Sequence, residues 1–502
     1  MLSDASEGTL DGYTRQRGKI MDESKSLAKN SIYNVIYNLV NVLLPLISSI
    51  YVSRILEPTG VGKVAYAITF VSYFVTFSGF GLPAYGVSAI SRSKGDADTK
   101  NRVFSELILI NSISTTVALI TYIFLIFRLQ FARNDLPLYL CCGIQLMLCY
   151  IDIDWLYRGE EEYGYITKRN IFVKTVSLLC VFIFVRTKDD YIKYALISSG
   201  ALGANYLFNV LYAKKYVRLT YKGLCPSIHL KALLFLSISL FFSSIYSRVD
   251  ITMLGLMSTE TSVGIYSNGH KVINVVITAC TAITSVFLPR MSYLYHEDKD
   301  SFMRLLNKGI RIIALITIPA CFGLMLLSQD AILLLYGDSF RAAGSVLRIF
   351  SVLIPVKGLG DLLCYQTVIS IGKEKSLVPA AGAAMLVNVV LNFLLIPVWG
   401  EIGATVASVC SEITVNSLML LYVRKQVNFH IQGKELVKIL VSTGAMCVMV
   451  GIVKWCRLSN LLTCTISLVV GVTVYVLINM LLGNELIIDL VHMAKKRLRK
   501  KK

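Results

Sequence analysis

Three charged side chains, Arg248, Asp250 and Lys271, stand within stretches of sequence that are otherwise apolar enough to lie in a lipid bilayer. A charge at the bilayer centre costs about 2.5 to 3.5 kcal/mol on insertion scales, so such residues usually face a bundle interior or a water-filled cavity. Arg248 and Lys271 are each eight residues from the predicted outer end of their apolar stretch. At a helical rise of 1.5 Å per residue, both therefore lie roughly 12 Å below the outer face of the membrane. Two cations and a carboxylate at one depth suit an anionic group, with Asp250 setting their geometry or carrying a proton. The alternative is a structural ion pair with Asp250.

Further ionisable residues occupy later apolar runs. Lys357 and Asp361 are four residues apart, which places them on one face of a helix. They form either an intrahelical pair or part of a cavity. Glu412 is a carboxylate without a partner nearby in its own helix, which makes it a candidate proton site.

An amide stripe marks the first apolar run. Asn34, Asn38 and Asn41 recur at helical spacing and therefore share one face. Amides suit the hydroxyl groups of sugars, although Asn also forms hydrogen bonds between membrane helices. Asp152, Asp154 and Lys174 lie near the predicted cytoplasmic ends of their runs, where long side chains reach the interface cheaply, and we interpret these three as interface residues.

The elements that must position these residues are membrane-spanning helices. Of the 502 residues, 55% are hydrophobic and only 16% are charged, with a mean hydropathy of +0.64; soluble domains carry about a quarter charged residues. The twelve cysteines include no CxxC pair and lie mostly in apolar runs, so neither a zinc site nor a disulfide framework is predicted. Catalytic motifs such as GxxxxGK[ST], HExxH and GxSxG are absent, so we expect no enzyme activity and no cofactor.

A membrane span needs about 20 mostly apolar residues. By that criterion the sequence contains fourteen predicted spans, near residues 31–53, 64–86, 103–127, 136–157, 165–185, 194–213, 232–256, 263–288, 312–329, 345–371, 377–398, 401–423, 439–455 and 461–482. An even number returns both termini to the same side. The fold class is therefore an all-α integral membrane protein.

The distribution of Lys and Arg predicts the orientation, because basic loops remain cytoplasmic. With the N-terminus inside, the inner segments carry 33 of the 50 basic residues, the outer loops carry 9, and eight lie within spans. Both termini are thus predicted to be cytoplasmic. The tail KKRLRKKK fits a solvated segment against anionic lipid headgroups, and the net charge of +19 needs no nucleic-acid partner.

Short internal similarities indicate a repeat. Ser48-Ser49-Ile50-Tyr51 resembles Ser243-Ser244-Ile245-Tyr246, and Val61-Gly62 resembles Val263-Gly264. Each pair follows span n and span n+6, which favours two six-helix halves of equal orientation. The sequence therefore predicts five regions: residues 1–30, a cytoplasmic segment; 31–213, the N-lobe; 232–423, the C-lobe; 439–482, two additional helices; 483–502, a basic cytoplasmic tail.

Four segments carry a family resemblance: YVSRILEPTGVGKVAYA at 51–67, DITMLGLMSTETSVGIYS at 250–267, LYGDSFRAAGSVLRIF at 335–350, and residues 371–413 from IGKEKS to CSEI. Together they resemble the polysaccharide flippases of the multidrug/oligosaccharidyl-lipid/polysaccharide (MOP) exporter superfamily. The resemblance implies Arg54 and Asp250 as matching motif positions and Gly62 and Gly264 as turn glycines. Glu57 stands where the family usually has Gly, a departure that concerns the conformation of that loop.

The resemblance further implies two lobes around a cationic cavity and a polyprenyl-diphosphate-linked oligosaccharide moved to the outer leaflet by alternating access. On this interpretation Arg248, Lys271, Arg54, Lys357 and the three amides bind substrate, while Asp250, Asp361 and Glu412 are candidates for coupling to H⁺ or Na⁺. No metal site is predicted. The expected location is a bacterial cytoplasmic membrane, with membrane lipids and polysaccharide polymerase machinery as partners.

Three alternatives remain open. A cation-coupled multidrug antiporter of the same superfamily typically has twelve spans and presents carboxylates rather than cations. A flippase for lipid-linked peptidoglycan precursor shares the same physics. A glycan polymerase or ligase would need a large outer loop, whereas the longest predicted outer loop is about fifteen residues, near 330–344.

Overall fold

The computed structural model describes residue 41 and residues 43–427, 429 and 433–488, and the described chain is helical without strands. The α-helices, numbered in chain order, are α1 (residues 43–78), α2 (Leu82–Arg92), α3 (Ala97–Arg128), α4 (Gln130–Arg133), α5 (Leu136–Leu148), α6 (Asp154–Gly159), α7 (Tyr163–Phe184), α8 (Tyr191–Ala213), α9 (Ser227–Met257), α10 (Glu260–Thr284), α11 (Leu288–Glu297), α12 (Lys299–Tyr336), α13 (Ala343–Phe350), α14 (Leu353–Gly360), α15 (Thr367–Ser370), α16 (Leu377–Trp399), α17 (Glu401–Gln426), α18 (Gly433–Trp455) and α19 (Asn460–Leu481). This confirms the all-α membrane class.

Within the described residues, nine helical segments are long and apolar enough to cross a membrane. The first runs over Leu43–Arg92 and contains the predicted span 64–86 together with residues 43–53 of the span 31–53, so the nine segments overlap ten of the fourteen. The other four predicted spans coincide with α5–α6, α7, α8 and the broken run α13–α15. The total of fourteen therefore remains a prediction.

The chain divides into two compact units. The first contains residues 1–48 and 67–245, and the second contains 49–66 and 246–502. Helices α1 and α9 each supply residues to both units. The lobe boundaries predicted from the sequence remain a prediction.

In the first unit, the segment before α9 is held against α3. The backbone amides of Arg218 and Thr220 donate to side-chain oxygens of Asn101 (2.7 Å) and Ser105 (2.9 Å). Glu106 is buried on the same helix, and its carboxylate lies 2.8 Å from Nε2 of His229 in α9. Three side chains spaced over about one and a half turns of α3 therefore fix the connection to α9.

In the second unit, α18 and α19 pack on α12. The Tyr475 hydroxyl of α19 donates to the Leu315 carbonyl (2.8 Å), and Lys454 of α18 forms an ion pair with Asp330 (2.8 Å). Pro319 lies inside α12, where it removes one helical hydrogen bond and permits a bend. Apolar side chains from α12, α18 and α19 make up the core of this contact.

The second unit also contains a close crossing between the residues after Glu57 in α1 and the start of α10. A methyl group on Gly62 would overlap the Glu260 carbonyl, and one on Gly264 would overlap the Pro58 carbonyl. The hydroxyls of Thr59 and Thr261 meet between them at 2.9 Å. Gly62 and Gly264, Thr59 and Thr261, and Pro58 and Glu260 are each separated by 202 residues. The two segments therefore contact each other reciprocally, as two copies do around a two-fold axis.

The same offset recurs at two helix starts. Asp96 caps α3 by accepting hydrogen bonds from the backbone amides of Asp98 and Thr99. Asp298 caps α12 in the same manner, accepting from Asp300 and Ser301. Both are N-caps of the standard Asp type, which extends the internal repeat beyond the segments that resemble each other in sequence.

Glu57 interrupts α1 with left-handed backbone geometry, at φ +57°. Pro58 follows directly, and proline suits the first turn of a new helix segment. Left-handed geometry costs a residue with a Cβ roughly 1–2 kcal/mol, a cost that glycine avoids. The departure from the family's usual Gly thus falls at the position where the backbone favours glycine.

Candidate functional site

The second unit encloses a cavity of about 280 Å³. Its lining comes from α9, α10, α13, α14, α16 and α17. The lining residues that carry polar or aromatic groups are Tyr246, Ser247, Asp250, His270, Asn274, Phe350, Lys357, Asn388, Ser408, Ser411 and Glu412. Three of these are site residues predicted from the sequence: Asp250, Lys357 and Glu412.

Asp250 is held by four neutral donors. One carboxylate oxygen, Oδ1, accepts from the amides of Asn388 (2.9 Å) and Asn392 (2.7 Å). The other, Oδ2, accepts from the hydroxyls of Tyr266 (2.9 Å) and Ser408 (2.7 Å). Because each donor is neutral, the hydrogen bonds stabilise the charge and its position without neutralising it.

Lys357 of α14 and Glu412 of α17 form an ion pair across the cavity wall, with Nζ 2.7 Å from Oε1. Of the two alternatives for Lys357 and Asp361, the intrahelical pair does not form, and Lys357 lines the cavity. Asp361 instead accepts hydrogen bonds from Thr284 and from Gln366 (2.7 Å). The partner of Glu412 comes from another helix, α14, and its role as a proton site stays a prediction.

The helix that carries Lys357 is short and irregular. Helix α14 ends at Gly360, and a π-helical turn, Asp361–Gln366, comes directly after it. The backbone amide of Asp361 still donates to the Lys357 carbonyl, so these two residues keep the α-helical spacing of four. Their side chains do not pair because each is bound by residues other than its neighbour in the helix. Turns of the π-helical kind are frequent at functional sites.

The predicted cations of α9 and α10 lie outside the lining of this cavity. Lys271 donates to Asn268 (3.2 Å), whose amide donates to Ser53 (2.7 Å), so Lys271 does not pair with Asp250. Arg248 is half-buried on α9. A shared anion site of both cations with Asp250 therefore stays a prediction.

Arg54 contacts the end of a helix. Its guanidinium donates to the carbonyls of Leu334 (2.6 Å) and Leu335 (3.1 Å), in the last turn of α12. A cation is favourable there because the last carbonyls of a helix lack helical partners and carry partial negative charge. In this arrangement Arg54 stabilises α12.

The first unit gathers some of the remaining predicted residues. Asn41 accepts hydrogen bonds from Lys174 (2.6 Å) and Asn170 (2.8 Å) of α7. Asp154 forms an ion pair with buried Arg169 (2.9 Å). Asp154 and Lys174 therefore both have partners inside the unit, and their location at the membrane interface stays a prediction. Asn34 and Asn38 lie outside the described residues.

An aromatic and amide face on α10 escapes the sequence-based predictions. Tyr266, His270 and Asn274 recur every fourth residue, and the His270 ring stacks on Tyr266 with centroids 5.8 Å apart. The spacing is visible in the sequence. The sequence-based prediction instead singles out the charged residue Lys271, which is adjacent to His270 and therefore lies on a different side of the helix.

The charged lining comprises two carboxylates and one ammonium group, with His270 as the remaining titratable base. This cavity is therefore not the cationic one that the family resemblance implies, and that feature remains a prediction. What the cavity offers is one ion pair that a ligand can reach, beside one carboxylate fixed by neutral donors.

Two family models match this chain. The model described as polysaccharide biosynthesis protein matches residues 27–295, more than half of the sequence. The chain belongs to this family. A second model, described as lipid II flippase MurJ, matches residues 216–476. The resemblance to polysaccharide flippases of the MOP superfamily is thereby confirmed.

Relatives of this family member include proteins named for transport and flipping. The chain is 26% identical over 417 residues to a protein named "Putative O-antigen transporter" from Escherichia coli (strain K12), covering 80% of this chain and 97% of the relative. It is 24% identical over 245 residues to the "Probable low-salt glycan biosynthesis flippase Agl15" of Haloferax volcanii, covering 47% and 50%.

Solved structures share the fold. The inward closed conformation of lipid II flippase MurJ matches with a TM-score of 0.74 at 15% identity, covering 92% of this chain and all of that one. An inward-facing multidrug resistance MATE family transporter of the MOP superfamily matches with a TM-score of 0.64 at 16% identity, covering 77% and 94%. At these identities the likeness concerns the fold alone.

Proposed function

We propose that this protein moves a polyprenyl-diphosphate-linked oligosaccharide from the cytoplasmic to the outer leaflet of a bacterial cytoplasmic membrane by alternating access, for surface polysaccharide synthesis. A diphosphate cannot cross about 30 Å of hydrocarbon unaided. Family membership supports the substrate class, as do relatives named for O-antigen transport and glycan flipping. The observation that carries the proposal is the cavity in which Asp250, Lys357 and Glu412 meet among membrane-spanning helices.

In this proposal Lys357 contacts the diphosphate, and Arg248 and Lys271 support it from α9 and α10. The amides of the cavity wall and the stripe at Asn34, Asn38 and Asn41 hydrogen-bond the glycan. Both termini are cytoplasmic, in keeping with the excess of Lys and Arg in the inner segments. Polysaccharide polymerase machinery would receive the product.

Asp250 is the proposed coupling site for H⁺ or Na⁺. Its four neutral donors leave a net negative charge that a cation can neutralise. The Oδ1 atom of Asn392 is buried and accepts no hydrogen bond from the described residues. That oxygen supports the proposal, since a small cation bound beside Asp250 would give it the partner that it lacks.

The test is a flipping assay in proteoliposomes with a fluorescent undecaprenyl-diphosphate-linked oligosaccharide. The wild type should flip the lipid, while Lys357→Ala, Arg248→Ala and Lys271→Ala should each slow flipping with folded protein retained. Asp330→Asn is the matched control, because its pair with Lys454 has nearly the same length but lies outside the cavity. Wild-type protein that leaves the lipid in its original leaflet would refute the proposal.

A flippase for lipid-linked peptidoglycan precursor is the second candidate, because the MurJ family model matches residues 216–476. The same proteoliposomes loaded with a lipid-linked muropeptide separate the two. Faster movement of the muropeptide lipid would favour this candidate. Proton-driven export of a cationic dye, with neither lipid moved, would favour the multidrug antiporter.

A further inference from the structure

The ion pair of Lys357 and Glu412 occupies the place that an anionic ligand would need. Of the described residues that line the cavity, Lys357 is the one that carries an ammonium group. Its side chain is 33% exposed and that of Glu412 is 18% exposed, so a ligand in the cavity can reach both. An incoming phosphate must therefore compete with Glu412 for Lys357.

The surroundings of Glu412 decide its protonation state once Lys357 leaves it. Among the described residues, the titratable groups on the elements packed around it include Lys357 of α14, Tyr246, Arg248 and Asp250 of α9, Tyr266, His270 and Lys271 of α10, and Asp361 of the π-helical turn. Of these, Arg248 and Lys271 lie outside the cavity lining. Asp250 and Asp361 have the same sign as Glu412, and the four donors of Asp250 are already engaged. A carboxylate left in a partly desolvated site without a cation is most readily relieved by protonation.

We propose that the substrate diphosphate replaces Glu412 as the partner of Lys357, and that Glu412 takes up a proton as the substrate binds. The inference rests on the proposed function and specifies how its site works. One ionic contact, Lys357 to carboxylate, is exchanged for another, Lys357 to phosphate, while one O–H bond forms between Glu412 and a proton from solution. The carboxylate thus acts as a built-in substitute for the phosphate in the empty carrier.

The backbone around Lys357 permits this exchange. Helix α14 has only eight residues, contains Pro355, and is followed directly by the π-helical turn. The ammonium group sits on a long, flexible stem with three donors and needs no fixed geometry. A small reorientation of the side chain is therefore enough to change partners.

Calorimetry of the full-length protein in detergent measures the proton directly. Farnesyl diphosphate is titrated in PIPES and in Tris, whose ionisation enthalpies differ, and proton uptake is taken as the difference between wild type and Glu412→Gln, which cancels protons bound by the ligand itself. We expect the wild type to take up close to one proton more per ligand. As the pH is raised, the Kd of the wild type for farnesyl diphosphate should increase more steeply than that of Glu412→Gln, by up to about tenfold per pH unit.

Three further variants assign the effect. Lys357→Ala should weaken binding at every pH, and Asp330→Asn, which disrupts an ion pair of nearly equal length and exposure, should behave as wild type. Asp250→Asn should retain the proton uptake; its loss there would assign the proton to Asp250 and overturn the inference. If Glu412→Gln does not fold, the double variant Lys357→Gln/Glu412→Gln removes both charges together and, at farnesyl diphosphate concentrations that saturate its weakened site, should show no uptake; uptake equal to that of the wild type would overturn the inference.

Equal proton uptake by wild type and Glu412→Gln would overturn the exchange while leaving the flippase intact, provided that the wild type flips the lipid-linked oligosaccharide. A wild type that neither binds farnesyl diphosphate nor flips that lipid would instead refute the proposed function. Uptake of about one extra proton together with flipping supports both.

Discussion

Replacing Asp250 separates its charge from its hydrogen bonds, because its two oxygens face different kinds of donor. Oδ1 faces the NH₂ groups of two amides, which can only donate, whereas Oδ2 faces two hydroxyls, which can also accept. In Asp250→Asn, the new amide oxygen takes the place of Oδ1 and the new NH₂ donates to a hydroxyl. The hydroxyl of Ser408 already has a second acceptor, the Ala404 carbonyl at 2.9 Å. We expect Asp250→Asn to lower the free energy of unfolding by less than about 1 kcal/mol.

Asp250→Ala is the contrasting change. The hydroxyls of Tyr266 and Ser408 lie 2.9 Å apart and can pair, and the Asn392 amide also donates to Asn388 (3.0 Å). One amide, that of Asn388, is then left without an acceptor, and a buried orphan donor costs about 1–3 kcal/mol. The free energy of unfolding, measured by sodium dodecyl sulfate titration in mixed micelles, should therefore fall by that amount.

Transport should not track stability in these two variants. Both remove the charge, so we expect coupled flipping in proteoliposomes to fall at least about tenfold in each, which corresponds to about 1.4 kcal/mol. The reasoning is refuted if Asp250→Asn is destabilised as much as Asp250→Ala, or if Asp250→Asn flips lipid at the wild-type rate under an ion gradient.

Three other changes test the fold. Gly264→Ala should prevent folding or force α1 and α10 apart, because the new methyl group overlaps the Pro58 carbonyl; Gly382→Ala, with nothing within 4 Å, is the control, and both are scored by yield of monodisperse protein. Glu57→Gly should raise the free energy of unfolding by up to about 1 kcal/mol through relief of left-handed strain, and a loss would contradict the assigned backbone geometry. Hydrogen bonds from the hydroxyl and backbone amide of Ser301 lower the pKa of Asp298 in the folded protein. The stabilising effect of the Asp298 carboxylate is therefore present above about pH 3.9, the usual pKa of Asp, and is lost as the pH falls through the lower folded pKa. The free energies of unfolding of wild type and Asp298→Asn should converge as the pH is lowered, and a constant difference between them down to about pH 2 would contradict the cap.

The sequence predicts where charge enters the membrane helices but not which groups pair. Composition and hydropathy are properties of each segment alone. They therefore predict the membrane class and show that Asp250, Lys357 and Glu412 lie in apolar runs. The bond between Lys357 and Glu412 joins residues far apart in the chain, and Asp361, which has the right local spacing to pair with Lys357, is bound by Thr284 of another helix and by Gln366. Pairing of this kind depends on how helices pack.

The amides of α16 show a second limit. Asn388 and Asn392 are evident as polar residues four apart in an apolar helix, yet nothing in the sequence indicates that both donate to one carboxylate on α9. In contrast, Gly62 and Gly264 are recognisable through their matching contexts. Repeats survive in the sequence because both copies keep the same small residue, whereas a convergence of different residues on Asp250 leaves no such pattern.

The reciprocal crossing of Gly62 and Gly264 bears on the history of the chain. If the two halves arose by duplication, the ancestral half would have met a second copy of itself at this point, with its single threonine facing its own image, as Thr59 and Thr261 do now. Elsewhere fusion freed the halves to diverge. At the crossing a bulky replacement in either copy still strikes the backbone of the other, so this is where selection should have kept the halves alike for longest.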